Sequence, residues 1–264
     1  MKGWLVYDGA GAKRNAWFIE KLQQEFSLLG HQLSLRIAGD GMPFDRPNFV
    51  IVRTIDPKIN AFFEEKGIPV FNNARTASIA CDKWQTYLFC KEHDLPVMET
   101  KLMDGSQPFD FPFVLKSRDG HGGSEVYLVR EEKEWEEKKK TLEWSRFIAQ
   151  PLCDETGKDM RVYLLGGDVL AAMLRTSSTD FRSNFSLGGR AEKCRPTNKQ
   201  LQILKTVKQA LAPDFCGVDF IRQKGEWVLN EIEDAVGTRM LYKHTDIDAA
   251  RAYARHISYQ LSRD

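Results

Sequence analysis

The first third of the chain alternates short apolar runs with stretches in which apolar residues recur every three or four positions. This alternation is typical of strands followed by amphipathic helices. The apolar runs predict strands at residues 3–7, 32–37, 48–52 and 69–71, and the periodic stretches predict helices at 15–29 and 59–66. Because strand and helix alternate, we expect a parallel sheet with crossover helices, forming a Rossmann-like domain over residues 1–76.

Beyond residue 76 the pattern changes to longer helices and paired strands. Helical periodicity predicts helices at residues 76–93, 130–140, 199–211 and 246–261, with Ser78 acting near the start of the first. Apolar runs predict strands at 113–116, 125–129, 147–150, 159–165, 169–175, 217–222 and 227–232. Gly166-Gly167-Asp168 predicts a hairpin turn between two of these strands. The chain as a whole is therefore predicted to be an α/β protein.

Composition is that of a soluble globular protein, with 42% apolar and 28% charged residues. Lys and Arg number 38 against 37 Asp and Glu, so charge gives no indication of a nucleic-acid partner. The apolar run at residues 3–7 is too short for a signal peptide, and no stretch approaches the roughly 18 apolar residues of a membrane span. We expect a cytoplasmic protein without a membrane partner.

Cysteine and histidine spacing argues against two kinds of site. The five cysteines are scattered and none has CxxC spacing, which favours reduced thiols over a zinc site or a disulfide framework. The histidines occur singly, and no Ser/His/Asp or Cys/His arrangement stands out. Covalent nucleophilic catalysis is therefore not expected.

A glycine-rich loop separates the strands at 113–116 and 125–129. It reads Lys116-Ser117-Arg118-Asp119-Gly120-His121-Gly122-Gly123-Ser124. Backbone N–H groups of glycines can approach an anion closely, so the loop is a candidate phosphate cover, and Lys116 at the end of an apolar strand favours that role. The loop matches neither the P-loop nor the dinucleotide-binding motif, and a flexible hairpin loop remains an open alternative.

Three carboxylates stand near the ends of two paired strands. Glu231 and Glu233 are two apart and share a face of one strand, and Asp219 on the other strand can oppose them. Like charges so placed repel unless a cation lies between them, and oxygen ligands of this kind suit Mg²⁺. The alternative is a solvated acidic strand end paired with Arg239 or Lys243.

Three arginines lie on or just after the predicted hairpin, at Arg161, Arg175 and Arg182, and Asn184 follows. The guanidinium fork binds phosphate or carboxylate in a bidentate manner and stays charged at any working pH. These residues are candidate ligands of a phosphoryl or acyl group. Taken singly, each arginine could equally lie on the surface.

The order of these motifs resembles the ATP-grasp superfamily, and within it the RimK-like amino-acid ligases, from Asp82-Lys83 to about Gly237. The densest match is Asp180-Phe181-Arg182-Ser183-Asn184-Phe185-Ser186-Leu187-Gly188-Gly189, followed by Gly217-Val218-Asp219 and Asn230-Glu231-Ile232-Glu233. Asp159-Met160-Arg161-Val162 matches the Asp-hydrophobic-Arg strand of the family, and Lys116 with its loop matches the lysine strand and lid.

The resemblance implies an ATP-grasp fold, two α+β lobes gripping ATP, behind the Rossmann-like domain. The lobes would cover residues 77–153, with the glycine loop, and 154–264, with the metal and substrate site. Implied catalytic residues are Lys116, Arg182 and Asn184, and implied metal ligands for Mg²⁺ or Mn²⁺ are Asp219, Glu231 and Glu233. Implied nucleotide-binding residues are Lys83, Lys116, Gly120, His121, Gly122, Gly123, Gln150, Pro151, Leu152, Cys153, Asp159 and Arg161.

The activity that the resemblance implies is ATP-dependent joining of a carboxylate to an amine through an acyl phosphate. Substrates would be small molecules or peptides. Two alternatives are a dipeptide or peptide-modifying ligase of the same superfamily and a catalytically silent ATP-binding regulator. The sequence leaves the oligomeric state open, a homo-oligomer included.

Three positions depart from the pattern of the family. Members usually carry Asn where Glu233 stands and a Ser/Ala-Pro-Gly turn where this chain has Asp234-Ala235-Val236-Gly237. The usual Glu after the Gln of the hinge strand is Pro151, which removes a side-chain contact and a backbone donor. ATP binding is expected to be retained, and the amino-acid specificity of the family does not carry over to this chain from the resemblance alone.

Overall fold

The computed structural model describes residues 1–39, 46–121, 123, 125–183 and 189–263. These residues form three sheets with helices packed on them. Within the described ranges, the helices are all too short or too polar to cross a bilayer.

The first sheet is parallel and has the strand order β2-β1-β3-β4. Its strands are β1 (Lys2–Tyr7), β2 (Gln32–Ile37), β3 (Phe49–Val52) and β4 (Val70–Phe71), and its helices are α1 (Gly9–Arg14), α2 (Ala16–Leu28) and α3 (Pro57–Glu65). The predicted parallel sheet is confirmed. Helix α1 is too short to show periodicity and was not predicted. Trp17, near the start of α2, is 57% exposed and packs edge-on against Tyr242.

The second sheet is antiparallel, with the order β5-β8-β6-β7, and forms the small lobe. It consists of β5 (Lys101–Leu102), β6 (Phe113–Ser117), β7 (Val126–Val129) and β8 (Phe147–Pro151). Helix α6 (Glu132–Thr141) covers this sheet. The helices α4 (Ala74–Ala80) and α5 (Lys83–Glu92) precede the sheet in the chain. Helix α6 is charged on most of its surface and buries Trp135 against Phe113. Strand β5, only two residues long, was not predicted.

The third sheet forms the large lobe and has the order β11-β10-β9-β12-β13. Its strands are β9 (Lys158–Leu165), β10 (Asp168–Thr176), β11 (Arg190–Cys194), β12 (Phe215–Gln223) and β13 (Glu226–Glu233), with helices α7 (Asn198–Leu211), α8 (Arg239–His244) and α9 (Ala249–Leu261). Helix α7 covers one face, where Val162 and Val218 lie. The first domain and α9 cover the other, where Tyr163 packs. Both faces are buried, so long apolar runs appear in β12. Strand β11 and helix α8 were not predicted.

The prediction of one helix over residues 76–93 is wrong, because two helices occupy this segment. Asn73 caps α4 by accepting a hydrogen bond from the Thr76 N–H, and Ser78 lies inside the helix rather than at its start. Asp82 has extended backbone angles and caps α5 by accepting from the Trp84 N–H at 2.8 Å. A good N-cap side chain stabilises a helix start at that point. The break places Lys83 at the first position of α5.

Helices α4 and α5 pack on the large-lobe sheet. Ala80, Phe89 and Cys90 share a core with Val218 and Ile232 of that sheet. The segment that follows α5 continues this attachment, since the Met98 N–H donates to the Leu229 carbonyl. The first domain shares its core with the large lobe as well. Division of the chain at residues 76 and 153 stays a prediction.

Candidate functional site

A cleft with about 850 Å³ of empty space, the open solvent at its mouth included, lies between the small-lobe sheet and the large-lobe sheet. One side is lined by β6, the glycine loop and the end of β8, and the other by β9, β12 and β13. Most of the residues predicted to bind nucleotide or metal line this cleft, namely Lys83, Lys116, Gly120, Gly123, Gln150, Pro151, Leu152, Cys153, Asp159, Arg182, Asp219, Glu231 and Glu233. Residues from distant parts of the chain thus meet at one place.

The segment that connects the lobes forms an apolar end of the cleft. Cys153 packs against a small buried cluster of Met98, Ile221 and Val228. The Gln150 side chain is buried and donates to Thr100 Oγ1 at 3.0 Å, which attaches this part of the segment to the residues that precede β5. An apolar slot beside exposed backbone suits a flat heteroaromatic ring.

Lys83 bridges the glycine loop and strand β13. Its Nζ atom lies 3.1 Å from Glu231 Oε1 and also donates to the Gly120 carbonyl. The Lys83 backbone N–H donates to the Arg118 carbonyl at 3.0 Å, and the Arg118 guanidinium pairs with Asp82. Helix α5 is therefore joined at its first turn to the loop, and the Lys83 ammonium points into the cleft.

Lys116 lies at the end of β6, opposite Lys83. Its Nζ atom donates to Asn230 Oδ1 at 3.0 Å, across the cleft from the small lobe to the large lobe. Burial lowers the pKa of the Lys116 ammonium to about 8; Glu231 offsets part of this effect and the charge of Lys83 adds to it. Two ammonium groups thus converge on neighbouring residues of β13.

Arg182 contacts the glycine loop from the large lobe. Its Nη1 atom donates to the Gly123 carbonyl at 2.7 Å, while Nε and Nη2 bind both oxygens of Asp180 at 3.0 and 2.7 Å. The side chain is 28% exposed. Its charge therefore lies at the mouth of the cleft, where an incoming anion can reach it.

Five charged side chains form a ladder across four adjacent strands of the large-lobe sheet. Arg161 binds both oxygens of Asp219, Nε to Oδ1 at 2.8 Å and Nη2 to Oδ2 at 2.6 Å, and its Nη2 atom also pairs with Glu233. Arg175 binds both oxygens of Asp159 and donates to Asp219 Oδ2 at 2.7 Å. Strand pairing sets Arg175 opposite Asp159 and Arg161 opposite Asp219. The ladder combines three carboxylates with two guanidiniums.

The surroundings in the ladder shift the pKa values of two of its carboxyls, those of Asp219 and Glu233. Burial alone would raise the pKa of the Asp219 carboxyl, but Arg161 and Arg175 outweigh burial and hold the pKa at about 2. Burial raises the pKa of the Glu233 carboxyl, an effect that Arg161 opposes without cancelling it. Asp219 is thus a fixed anion, and the environment of Glu233 favours a nearby cation.

The carboxylates suit a hard divalent cation in chemistry and position. Asp219 is directly opposite Glu231 across the β12–β13 pair, and Glu233 shares the face of Glu231, as predicted. The ion pairs of Glu231 and Glu233 both use Oε1, so among the described residues Oε2 of each is available to a further ligand. In the described part of the chain no three Asp, Glu, His or Cys side chains converge closely enough to enclose a metal by themselves. Water and phosphate oxygens would have to complete a Mg²⁺ shell, which is usual for this ion.

Four predicted site residues lie elsewhere or outside the described residues. Arg161 lies behind the cleft wall and contacts Asp219 and Glu233 rather than the cavity. His121 does not line the cavity, and burial lowers the pKa of its imidazole. Gly122 and Asn184 lie outside the described residues. The acidic strand end is largely buried rather than a solvated surface, and its partners among the described residues are Arg161, Arg175 and Lys83 rather than Arg239 or Lys243.

Sequence reasoning missed Asn230 and the apolar end of the cleft. Asn230 binds Lys116 across a separation of 114 residues, and no local pattern signals such a contact. Met98 and Ile221 meet there through tertiary packing alone. The pair of Arg175 with Asp159 had no simple signal either, because counting outward from the Gly166-Gly167 turn sets Arg175 opposite Lys158, and the register shift between Val169 and Ala171 moves it opposite Asp159.

Comparison with known proteins gives a family match and several relatives. The model of the RimK-like ATP-grasp domain family matches residues 85–257. Human N-acetylaspartylglutamate synthase A is 31% identical over 214 residues, which are 72% of this chain and 54% of that protein. A probable alpha-L-glutamate ligase of Histophilus somni is 27% identical over 255 residues, covering 88% of this chain and 84% of that protein. This chain spans about half the length of the human relative.

A solved structure extends the likeness to the whole fold. D-alanine–D-alanine ligase of Bacillus anthracis, in complex with ATP, superposes with a TM-score of 0.76 over 100% of this chain and 98% of that chain. Sequence identity in this comparison is 15%, so the match concerns the fold. It supports the arrangement of a parallel-sheet domain followed by two lobes that enclose a cleft.

Proposed function

Because this chain belongs to the RimK-like ATP-grasp family, we propose that it is an ATP- and Mg²⁺-dependent ligase that joins a carboxylate to an amine. The observation that carries the proposal is the meeting of Lys83, Lys116 and Arg182 with Glu231 and Glu233 in one cleft. Three cations opposite two carboxylates suit a polyphosphate held together with a divalent metal.

In this proposal ATP lies along the cleft. The adenine occupies the apolar end beside Met98, Ile221 and Cys153, against the segment 150–153. Its phosphates extend toward Lys83 and Lys116, beneath the glycine loop. The ribose then lies between these ends, near Asp159. Asp219, Glu231 and Glu233 would hold Mg²⁺, which neutralises phosphate charge when bound.

The residues of the chain then have separate tasks during the reaction. Lys116 and Arg182 balance the negative charge that spreads over the transferred phosphoryl group, and positioning of this kind supplies most of the catalysis in phosphoryl transfer. The product of that step is an acyl phosphate of the substrate. Attack by an amine releases phosphate and forms the amide. The glycine loop, joined to Lys83 and Arg182, excludes water from the acyl phosphate.

An amino acid is the substrate class that the relatives favour. The human relative is named for N-acetylaspartylglutamate and the bacterial one for alpha-L-glutamate. Glutamate is therefore the first amine to test here. Glu233, which stands where the family usually has Asn and lines the cleft, favours an acceptor whose amine end faces this carboxylate.

ADP release over a panel of amino acids and dipeptides, with and without Mg²⁺, tests the proposal. We expect ADP formation that needs Mg²⁺ and both substrates, with an amide product of matching mass. A dipeptide or peptide-modifying ligase would respond to D-amino acids or peptides in the same panel. ATP binding without substrate-stimulated turnover across the panel would contradict the proposal and favour a regulator.

A further inference from the structure

Arg175, like Arg161, does not line the cleft, and it is the guanidinium of the ladder that binds Asp159 and Asp219, two carboxylates of the cleft wall on different strands. It is 3% exposed and does not line the cavity, whereas its partners Asp159 and Asp219 both do. Its Nε and Nη2 atoms are fully engaged by these two carboxylates. Arg175 is therefore neither a surface residue nor a direct ligand of phosphate or carboxylate.

We propose that Arg175 is a positioning residue that fixes Asp159, on the nucleotide side of the cleft, and Asp219, on the metal side, with a single guanidinium. The proposal rests on the function proposed above. Asp159 belongs to β9 and Asp219 to β12, and these two residues share Arg175 of β10 without a bond between them. One rigid group thus sets the distance between two parts of the site.

Geometry makes a guanidinium necessary at this position. The Nε–Nη2 edge of Arg175 lies along both oxygens of Asp159, with Nε 2.6 Å from Oδ1, and the second proton of Nη2 points to Asp219 Oδ2 at 2.7 Å. Only a planar guanidinium can donate hydrogen bonds in fixed directions to two carboxylates through its Nε and Nη2 atoms. A lysine ammonium is a point charge on a flexible stem and cannot reproduce both contacts in fixed directions.

Removal of the Arg175 side chain cannot by itself test the positioning role, because it also changes the charge balance of the ladder. The ladder holds three carboxylates and two guanidiniums, nearly all buried. Loss of one guanidinium leaves a buried carboxylate without its partner, which is strongly destabilising. Arg175→Lys keeps the charge of the ladder and changes only its geometry. A change in ligand affinity in this variant therefore reports positioning rather than charge.

The test measures binding rather than turnover. Nucleotide affinity is measured by calorimetry with a non-hydrolysable ATP analogue, and metal affinity by electron paramagnetic resonance with Mn²⁺. In Arg175→Lys we expect both affinities to fall about tenfold or more, the size typical of residues that orient metal ligands. Arg222→Lys is the matched control, because Arg222 belongs to the same sheet, on β12, and faces a carboxylate, Glu155, outside the cleft. Both affinities should stay within about twofold there.

A double-mutant cycle separates positioning from a general structural role. If Arg175 acts on the nucleotide through Asp159, Arg175→Lys should cause no further loss of nucleotide affinity in an Asp159→Asn background. Its effect on Mn²⁺, which acts through Asp219, should persist there. Additive loss of nucleotide affinity in that background would overturn the proposal, as would wild-type affinities in the single variant.

Two further results keep the test decisive. If Arg175→Lys does not fold, judged by circular dichroism, the neutral pair Arg175→Gln with Asp159→Asn keeps the net charge of the ladder and should still lose about tenfold in Mn²⁺ affinity. Unchanged Mn²⁺ affinity in that pair would overturn the proposal. A wild-type protein that binds neither the nucleotide analogue nor Mn²⁺ contradicts the proposed function itself, a result that is distinct from a failure of positioning.

Discussion

Lys83 on α5 and Glu231 on β13 form an ion pair across the cleft, with Nζ and Oε1 3.1 Å apart. The pair joins the first turn of α5, which also contacts the glycine loop through Lys83, to the strand that carries the proposed metal ligands Glu231 and Glu233. Phosphate and metal would each take one partner of this pair when they bind. Glu231 is accordingly the carboxylate whose loss should affect catalysis most directly.

Glu231→Gln is expected to lower the rate of Mg²⁺-dependent ADP formation by about a hundredfold to a thousandfold, because an amide keeps the shape but not the charge of a metal ligand. Initial rates at saturating ATP measure the effect. Glu226→Gln is the control, since Glu226 is on the same strand, exposed, and paired with Lys199 outside the cleft. Wild-type turnover in Glu231→Gln would remove Glu231 from the proposed site.

Lys116 should make ATP binding depend on pH. Burial lowers the pKa of its ammonium to about 8, so below pH 8 the ligand-free protein presents a charged lysine, and above pH 8 a neutral one that must take up a proton to bind phosphate. The dissociation constant of ATP is therefore expected to rise toward tenfold per pH unit between about pH 8 and 10. Calorimetry without Mg²⁺, in buffers of different ionisation enthalpy, measures both affinity and proton uptake.

Lys116→Arg provides the control for this pH profile, because a guanidinium remains charged throughout the range. The variant should show a flat profile above pH 8, whatever its absolute affinity. A flat profile in the wild-type protein would mean that the proton uptake does not occur at Lys116.

Asp82 is expected to stabilise the break between α4 and α5. Its Oδ1 atom caps α5 through the Trp84 N–H, and the carboxylate also pairs with Arg118. Asp82→Ala removes both contacts and should cost about 1–2 kcal/mol of unfolding free energy, whereas Asp82→Asn keeps a capping oxygen and should cost less than about 1 kcal/mol. Thermal unfolding of the two variants compares them. Equal losses would show that the cap contributes nothing.

The sequence predicts those parts of the fold and site that depend on local pattern. Alternation of apolar runs and helical periodicity suffices for the parallel sheet, and spacing by two suffices to put Glu231 and Glu233 on one face. The break at Asp82 had a local signal as well, since aspartate is a common N-cap, but the apolar periodicity of residues 76–93 continues across it.

Contacts between distant segments could not be predicted in this way. Asn230 meets Lys116 only because β13 and β6 face each other across the cleft, and the ladder needs the order of four strands before Arg161 and Asp219 become neighbours. Short edge elements such as β5 and β11 are stabilised by their neighbours in a sheet rather than by their own pattern. The alternative of a solvated acidic strand end was excluded by these long-range ion pairs.

At Gly217 the strand that carries Asp219 lies close to the turn after Glu233. A Cβ atom at Gly217 would lie 2.7 Å from Val236 Cγ2, and Val236 is fully buried, with its carbonyl bound by Arg53 at 2.7 Å. Gly217→Ala should therefore cost about 1–3 kcal/mol through overpacking, measured by urea unfolding. Gly237→Ala is the control, because a Cβ there meets nothing within 4 Å, and its cost should stay within about 0.5 kcal/mol.

Because the clash is with one side chain, adding Val236→Ala to Gly217→Ala should recover part of the loss. A double variant less stable than the sum of its parts would show that the backbone of the turn, rather than Val236, sets the limit at this position.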